Sequence, residues 1–311
     1  MNNKLSLRTL GDAEQHIKKI TKNYYDESIP VKSLKFDNLN TVRIDGEKHT
    51  LRPMAQQGIA FRLGIPLSYL RKCQEELQAY NMNYWIKHEK NEELFFRFDA
   101  DDNVRTVFSP RYVPLDNIQV IKHLYSIGFD KKADVRANID DDFMSLSIFE
   151  GSFKINRDQM RNGFCFSNSE TGLASFSLSA YVMRLVCSNG LVSRKNVSLA
   201  KFPHVSEKTL SKIPALLEET SRELTIQKKS FELSTKSPVD DPEATLDSFN
   251  RQFKLNEVER KAVEWGWKQE EGSNLFYIIN AYTRGAQFPD LSAVSSFKLQ
   301  KTGGQILALV N

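Results

Sequence analysis

Aromatic residues are interleaved with arginine in Phe96-Arg97-Phe98, in Arg111-Tyr112 and in the run from Tyr181 to Arg184. Cations hold phosphates and aromatic faces carry bases. Binding a single-stranded nucleic acid calls for both, with about 1–3 kcal/mol per stacked base. The candidate phosphate contacts are Arg97, Arg105, Arg111, Arg161, Arg184, Arg194 and Lys195, and the candidate stacking platforms are Tyr112 and Tyr181. Aromatic residues on a strand serve a core equally well, and neighbouring strand residues face opposite ways, so each candidate also has a purely structural reading.

No other chemistry assembles in the sequence. Cys73, Cys165 and Cys187 are widely spaced and form no Cys-x-x-Cys pair, and the five histidines (His16, His49, His88, His123, His204) form no helical ligand pair. Gly163, Gly172, Gly190 and Gly303-Gly304 do not build a phosphate-cradling loop. Glu150, Asp158 and Glu170 stand beside turns, where carboxylates cap or are solvated rather than act as an acid–base pair. The expectation is a binding protein rather than an enzyme, with no catalytic residue, metal or cofactor.

The elements that must position these residues follow from pattern and punctuation. Asp12 to Tyr25 reads as a helix with Asp12 able to cap it. Asp45-Gly46 marks a hairpin between Thr41–Ile44 and Glu47–Leu51. Arg52 to Leu63 and Leu67 to Ile86 read as two helices across Gly64-Ile65-Pro66, the second carrying Tyr69, Arg71, Lys72 and Gln74. That outline fits an ordinary helix pair or a helix-turn-helix that reads duplex DNA through Arg71 and Lys72. Leu94–Phe98 and Val104–Phe108 form a hairpin from which Arg97 and Arg105 would project. A helix from Asp116 to Ile127 follows, then a hairpin across Asp140-Asp141-Asp142. Asn162-Gly163 reads as a turn ahead of strand-like Phe164–Phe166 and Phe176–Cys187, which are joined by Ser167-Asn168-Ser169-Glu170-Thr171-Gly172. Asn168 and Asn189 read as turn formers. Ser206 to Ser234 reads as one helix disturbed at Pro214, and further helices follow to Ala308.

The fold class expected is therefore α+β: a central antiparallel sheet domain with helices on one face, an N-terminal helical segment and a C-terminal helical region. The divisions fall at 1–90 (hairpin and helix pair), 91–203 (sheet domain) and 204–311 (helices). A chain of 311 residues with 40% apolar and 26% charged residues is ordinary globular composition and needs no disulfides. No apolar run nears the roughly 20 residues of a membrane span, and Met1 to Arg8 lacks the apolar stretch of a secretory signal. A cytoplasmic protein without membrane contact is expected. The net charge of +4 is mild, but Gly151 to Lys201 carries seven cations against only Asp158 and Glu170.

Three motifs in order, Val107-Phe108-Ser109-Pro110-Arg111-Tyr112-Val113-Pro114-Leu115-Asp116-Asn117, Ser167-Asn168-Ser169-Glu170-Thr171-Gly172 and Arg184-Leu185-Val186-Cys187-Ser188-Asn189-Gly190-Leu191, resemble a domain-of-unknown-function family of phage- and plasmid-encoded proteins. Leu63-Gly64-Ile65-Pro66 with Tyr69-Leu70-Arg71, and Ile279 to Gln287 with Gly303-Gly304, are similar to its flanking segments. The resemblance implies a mobile-element origin and carries over no activity. With the basic and aromatic residues, it suggests a nucleic-acid-binding protein, with DNA as the favoured partner, acting in recombination, replication or protection. The alternative is a protein-interaction factor that binds a host protein, such as an inhibitor of a defence enzyme or an assembly subunit, with Trp265, Trp267, Phe276 and Tyr282 as anchors. Exposed sheet edges leave a homo-oligomer open.

Overall fold

Thr9 and Asp12 close the start of the first helix reciprocally. The Asp12 amide donates to the Thr9 hydroxyl at 3.1 Å and the Thr9 amide to the Asp12 carboxylate at 3.0 Å, so α1 (Leu10–Ile20) begins ahead of Asp12, the residue expected to cap it. The computed structural model describes residues 7–155, 158–184, 189–192 and 207–310, and side chains within these except those of 189–192, 207–209 and 222–227.

The N-terminal part continues with β1 (Tyr25–Pro30), β2 (Leu34–Asn38), β3 (Thr41–Ile44), β4 (Glu47–Thr50), α2 (Pro53–Arg62), α3 (Leu67–Leu70), α4 (Glu75–Ile86), β5 (Glu93–Phe98) and β6 (Val104–Phe108). Two antiparallel sheets result, ordered β2-β3-β4 and β1-β5-β6. The expected hairpin at Asp45-Gly46 is present, with both residues at positive φ (49° and 92°). The β5–β6 hairpin is also present but pairs with β1, across residue 91, rather than with the large sheet that follows. One apolar core, from Ile29 to Val107, unites these strands with α2 and α4.

The helix expected from Leu67 to Ile86 is two helices. The Gln78 side-chain amide donates to the carbonyls of Leu70 and Cys73 at 3.0 and 3.1 Å, which ends α3, and the chain restarts as α4 from Gln74. Upstream, α2 closes with Ile65 N–H on Ala60 O and Gly64 N–H on Phe61 O, with Gly64 in the left-handed region (φ 68°).

α5 (Asn117–Ser126) leads into a five-stranded antiparallel meander: β7 (Val135–Ile139), β8 (Met144–Ile155), β9 (Asp158–Asn168), β10 (Ser177–Arg184) and β11 (Asn189–Val192), ordered β11-β10-β9-β8-β7. Asn162-Gly163, read from sequence as a turn, lies inside β9. The register shifts between Phe149 and Gly151 on β8, and a Cβ on Gly163 would stand 1.9 Å from the Ile148 carbonyl oxygen. Glycine here permits a close backbone approach at a bulge in one long hairpin. Phe164 and Phe166 point to the face covered by α1, α5 and α6 (Ile213–Ser234), and Cys165 points to the other, where it meets Tyr181 and Phe297. Pro214 sits in the first turn of α6, where its missing N–H costs nothing, so the helix starts there instead of kinking.

α7 (Pro242–Gln252), α8 (Glu257–Glu270), α9 (Leu275–Gly285) and α10 (Ala293–Leu307) complete an α+β fold. α8 and α9 touch backbone to backbone at Gly266 and Gly285, where a Cβ on either would lie within 2.7 Å of the other helix. Phe276 and Tyr282, offered above as interface anchors, are buried in this helical core, and the Tyr282 hydroxyl donates to Leu246 O and Asn250 Oδ1. Among the described residues no helix is long and apolar enough to cross a membrane.

The bulge yields a prediction. Gly163→Ala forces β8 and β9 apart and should destabilise the protein by about 3 kcal/mol, the upper end for overpacking. Urea denaturation read by circular dichroism measures it.

Candidate nucleic-acid interface

The arginines picked out by sequence are mostly engaged within the protein. Arg97 is 4% exposed and Arg105 2%. Neither projects from the β5–β6 hairpin, because partners distant in the chain draw both side chains inward. Arg97 donates to Asp26 at 2.9 Å, to Asp116 at 2.5 Å and to the Glu170 carbonyl at 3.3 Å. Arg105 donates to the Asp141 carbonyl at 2.6 Å and to the Glu170 carboxylate at 3.3 Å, and lies over the Tyr24 ring. Arg161 pairs with Asp134 and stacks on Phe149. Arg184 bridges Asp158 and Glu270 at 3.0 and 2.8 Å. Tyr181 is fully buried, while Tyr112 stacks on Phe108 with centroids 3.8 Å apart. Arg111 is exposed. Arg194 and Lys195 lie outside the described residues.

The Ser167–Gly172 segment is the hub of this engagement. Glu170, 3% exposed, accepts from the Asn117 amide at 2.8 Å through its other oxygen. Asn168 is fully buried and donates to Leu115 O and Asn117 Oδ1, so it ties strand β9 to the start of α5 instead of forming a turn. Ser169 donates to Asp142 O, and Thr106 donates to Thr171 O. Burial and the neighbouring Asp116 raise the Glu170 pKa above the ordinary glutamate range, with Arg105 opposing. Burial works against the charge on Arg97, but Asp116 and Asp26 outweigh it and hold its pKa above the ordinary value. This segment clamps the β5–β6 hairpin to the five-stranded sheet.

Exposed aromatic rings gather elsewhere, on α4. Met82 and Ile86 face the core. Asn83 clasps the edge of β2 with two bonds, accepting from Phe36 N at 2.8 Å and donating to Phe36 O at 2.7 Å. Gln78 accepts from Leu39 N at 2.9 Å. These pins turn the opposite face outward, so that Tyr80 (68% exposed), Tyr84, Trp85 and His88 form a ridge. Ring centroids are 6.4 Å apart for Tyr80–Tyr84, 5.2 Å for Tyr84–Trp85 and 4.9 Å for Tyr84–His88. The sequence does hold a signal for it: rings at 80, 84 and 88 repeat at helical spacing beside the apolar 82 and 86, giving one helix two apolar faces.

A depression flanks the end of the ridge on each side. One is a groove of about 1240 Å³ with four lysines, Lys32, Lys35, Lys87 and Lys90, interspersed with Glu89, Glu92 and Glu93. The other is a cleft of about 1330 Å³ between α2, β6, the Ser167–Ser177 segment and α10, into which Trp85 and His88 also face. Phe61, 86% exposed, stands at the cleft, and Gly172 (φ 91°) brings the backbone against the Phe108 ring in its wall. Among the described residues no group of three His, Cys, Asp or Glu side chains could hold a metal ion.

Residues 104–283 match the family described as a domain of unknown function (DUF932), and the chain belongs to that family. No curated protein and no solved structure matches it. The matched stretch contains the Arg105–Glu170 clamp; the α4 ridge precedes it.

Two expected outcomes test the clamp. Glu170→Ala leaves Arg105 buried without its carboxylate and should cost about 3–5 kcal/mol in urea denaturation. With its folded pKa above the unfolded one, the Glu170 carboxyl contributes stability that is full below the ordinary glutamate pKa and is lost as pH rises through the folded value. Glu170→Gln should therefore flatten the fall in stability, read by urea denaturation, as pH rises above the ordinary glutamate range.

Proposed function

We propose that this member of the DUF932 family is a non-enzymatic nucleic-acid-binding protein of a phage or plasmid that holds single-stranded DNA along the α4 ridge, in recombination, replication or protection of DNA. The observation that carries this reading is the run of exposed rings at Tyr80, Tyr84, Trp85 and His88 beside a lysine-lined groove. Every base has a face that can stack, while a duplex keeps its faces covered, so such a surface favours single strands without reading sequence. Lys87 and Lys90, exposed at the C-terminal end of α4, supply cations where the helix dipole also welcomes them. Of the arginines first picked out, Arg111 remains available to a phosphate, adjoining Tyr112 at the rim of the cleft.

A protein partner, such as a host defence enzyme, is the second reading. Phe61 and Leu77 favour it, since large apolar side chains exposed next to aromatic ones also anchor protein interfaces. Nuclease treatment separates the two: a partner retained on the ridge after digestion supports the protein reading.

Fluorescence anisotropy with a labelled oligothymidine across salt concentrations tests single-strand binding. Tyr84→Ala and Trp85→Ala should each weaken binding about 5- to 150-fold, the equivalent of 1–3 kcal/mol per stacked base, without changing the salt slope. Lys87→Gln with Lys90→Gln should lower the slope of log K against log salt by about 1.4, as for two lost phosphate contacts on a single strand. Equal affinity for single and double strands, or no binding by the unaltered protein, contradicts the proposal.

A further inference from the structure

We infer that the cleft beside the ridge takes unpaired bases of the bound strand while the strand's phosphates stay on the lysine side of α4. This rests on single-strand binding by the ridge and adds what the adjoining cavity is for. Continuity comes first: Trp85 and His88 belong to the ridge and also line the cleft, so a strand stacked along α4 reaches the cleft opening without leaving the aromatic surface. Lys90 lines both depressions, and Lys32, Lys35 and Lys87 lie only on the groove side. Among the described residues, the groove side of α4 thus carries four lysines, three glutamates and no aromatic ring, while the rings lie on the cleft side.

The lining of the cleft offers rings and hydroxyls suited to bases. Its walls include Phe61 and the stacked Phe108–Tyr112 pair, flat surfaces against which a base can lie. Ser109 and Ser175 contribute neutral hydroxyls, which both donate and accept and so suit the mixed edges of a base. The arginine in the lining, Arg62, is already held by Glu89 at 3.2 Å, which neutralises its charge there. Lys301, on α10, brings a cation to the far wall. At about 1330 Å³ the cleft exceeds the roughly 300–1,000 Å³ of pockets for a single drug-sized ligand, so more than one base has room. Its floor is the Ser167–Gly172 segment, held by the clamp; Ser169 accepts from Leu173 N and donates to Asp142 O.

The test uses the full chain and two labelled strands of equal length, an oligothymidine with one central 2-aminopurine and an abasic strand. Ala174→Leu fills the cleft from a partly exposed position with a side chain that has no face to stack, and should melt as the unaltered protein does. The variant should bind the base-containing strand about 10-fold more weakly, in line with a lost stacked base, and the abasic strand unchanged. It should also lose part of the 2-aminopurine quenching that the unaltered protein produces. If Ala174→Leu melts early, Ser175→Leu, from another position in the lining, carries the same comparison. Unchanged affinity and quenching in the filled variant, with binding still lost in Trp85→Ala, overturn the inference and leave the ridge standing. Failure of the unaltered protein to bind either strand overturns both.

Discussion

Two arginines and one glutamate, buried where the β1-β5-β6 sheet meets the five-stranded sheet, set how the rest of the molecule is put together. Arg97 and Arg105 leave one sheet and meet Glu170 on the Ser167–Gly172 segment of the other, with Asp26, Asp116, Asp141 and Asn117 completing the bonding. Charges taken out of water lose several kcal/mol of hydration each, and well-formed pairing offsets much of that loss without a large surplus. What such a cluster supplies is uniqueness: a slip of either sheet would leave a buried charge facing nothing. The cleft exists because this joint holds β6 and the Ser167–Ser177 segment at a fixed separation from α2.

How much of this was legible in the sequence depends on the reach of each interaction. Asp45-Gly46 and the two strands around Asp101-Asp102-Asn103 are local signals and specify their hairpins directly. The fate of Arg97 and Arg105 is not local, since their carboxylate partners Asp26 and Glu170 lie 71 and 65 positions away, and an alternating strand pattern gives no sign of which face will be closed by another sheet. Asn162-Gly163 misleads for a different reason. The dipeptide favours a two-residue turn, but β8 crosses so closely at Ile148 that only glycine fits, and the same residue serves a bulge. Likewise the outward face of α4 is decided by Gln78 reaching the loop after β2 and Asn83 reaching β2 itself, 39 and 47 positions back.

The family-matched stretch and the ridge divide the molecule's work. Residues 104–283 hold the meander, the α5 and α6 helices that pack on it and half of the charged joint, a framework built of long-range contacts. The exposed rings belong to the preceding module, which has its own apolar core. Arg97, Arg105, Arg161 and Arg184, which first suggested phosphate binding, are fasteners within the fold, and the exposed rings sit on the preceding part.

The two bonds between Asn83 and Phe36 have an entropic consequence. β2 is an edge strand, and Asn83 occupies the backbone groups of Phe36 that would otherwise be open to another strand, while fixing the rotation of α4 about its own axis. A helix held that way presents Tyr80, Tyr84 and Trp85 from a backbone that needs no further ordering when something settles on them. Ordering of interface groups normally consumes about 0.5–1.5 kcal/mol per mobile side chain. Rings with few rotatable bonds on a pinned helix lose less of it, so any contact made at this face would retain more of its energy as affinity.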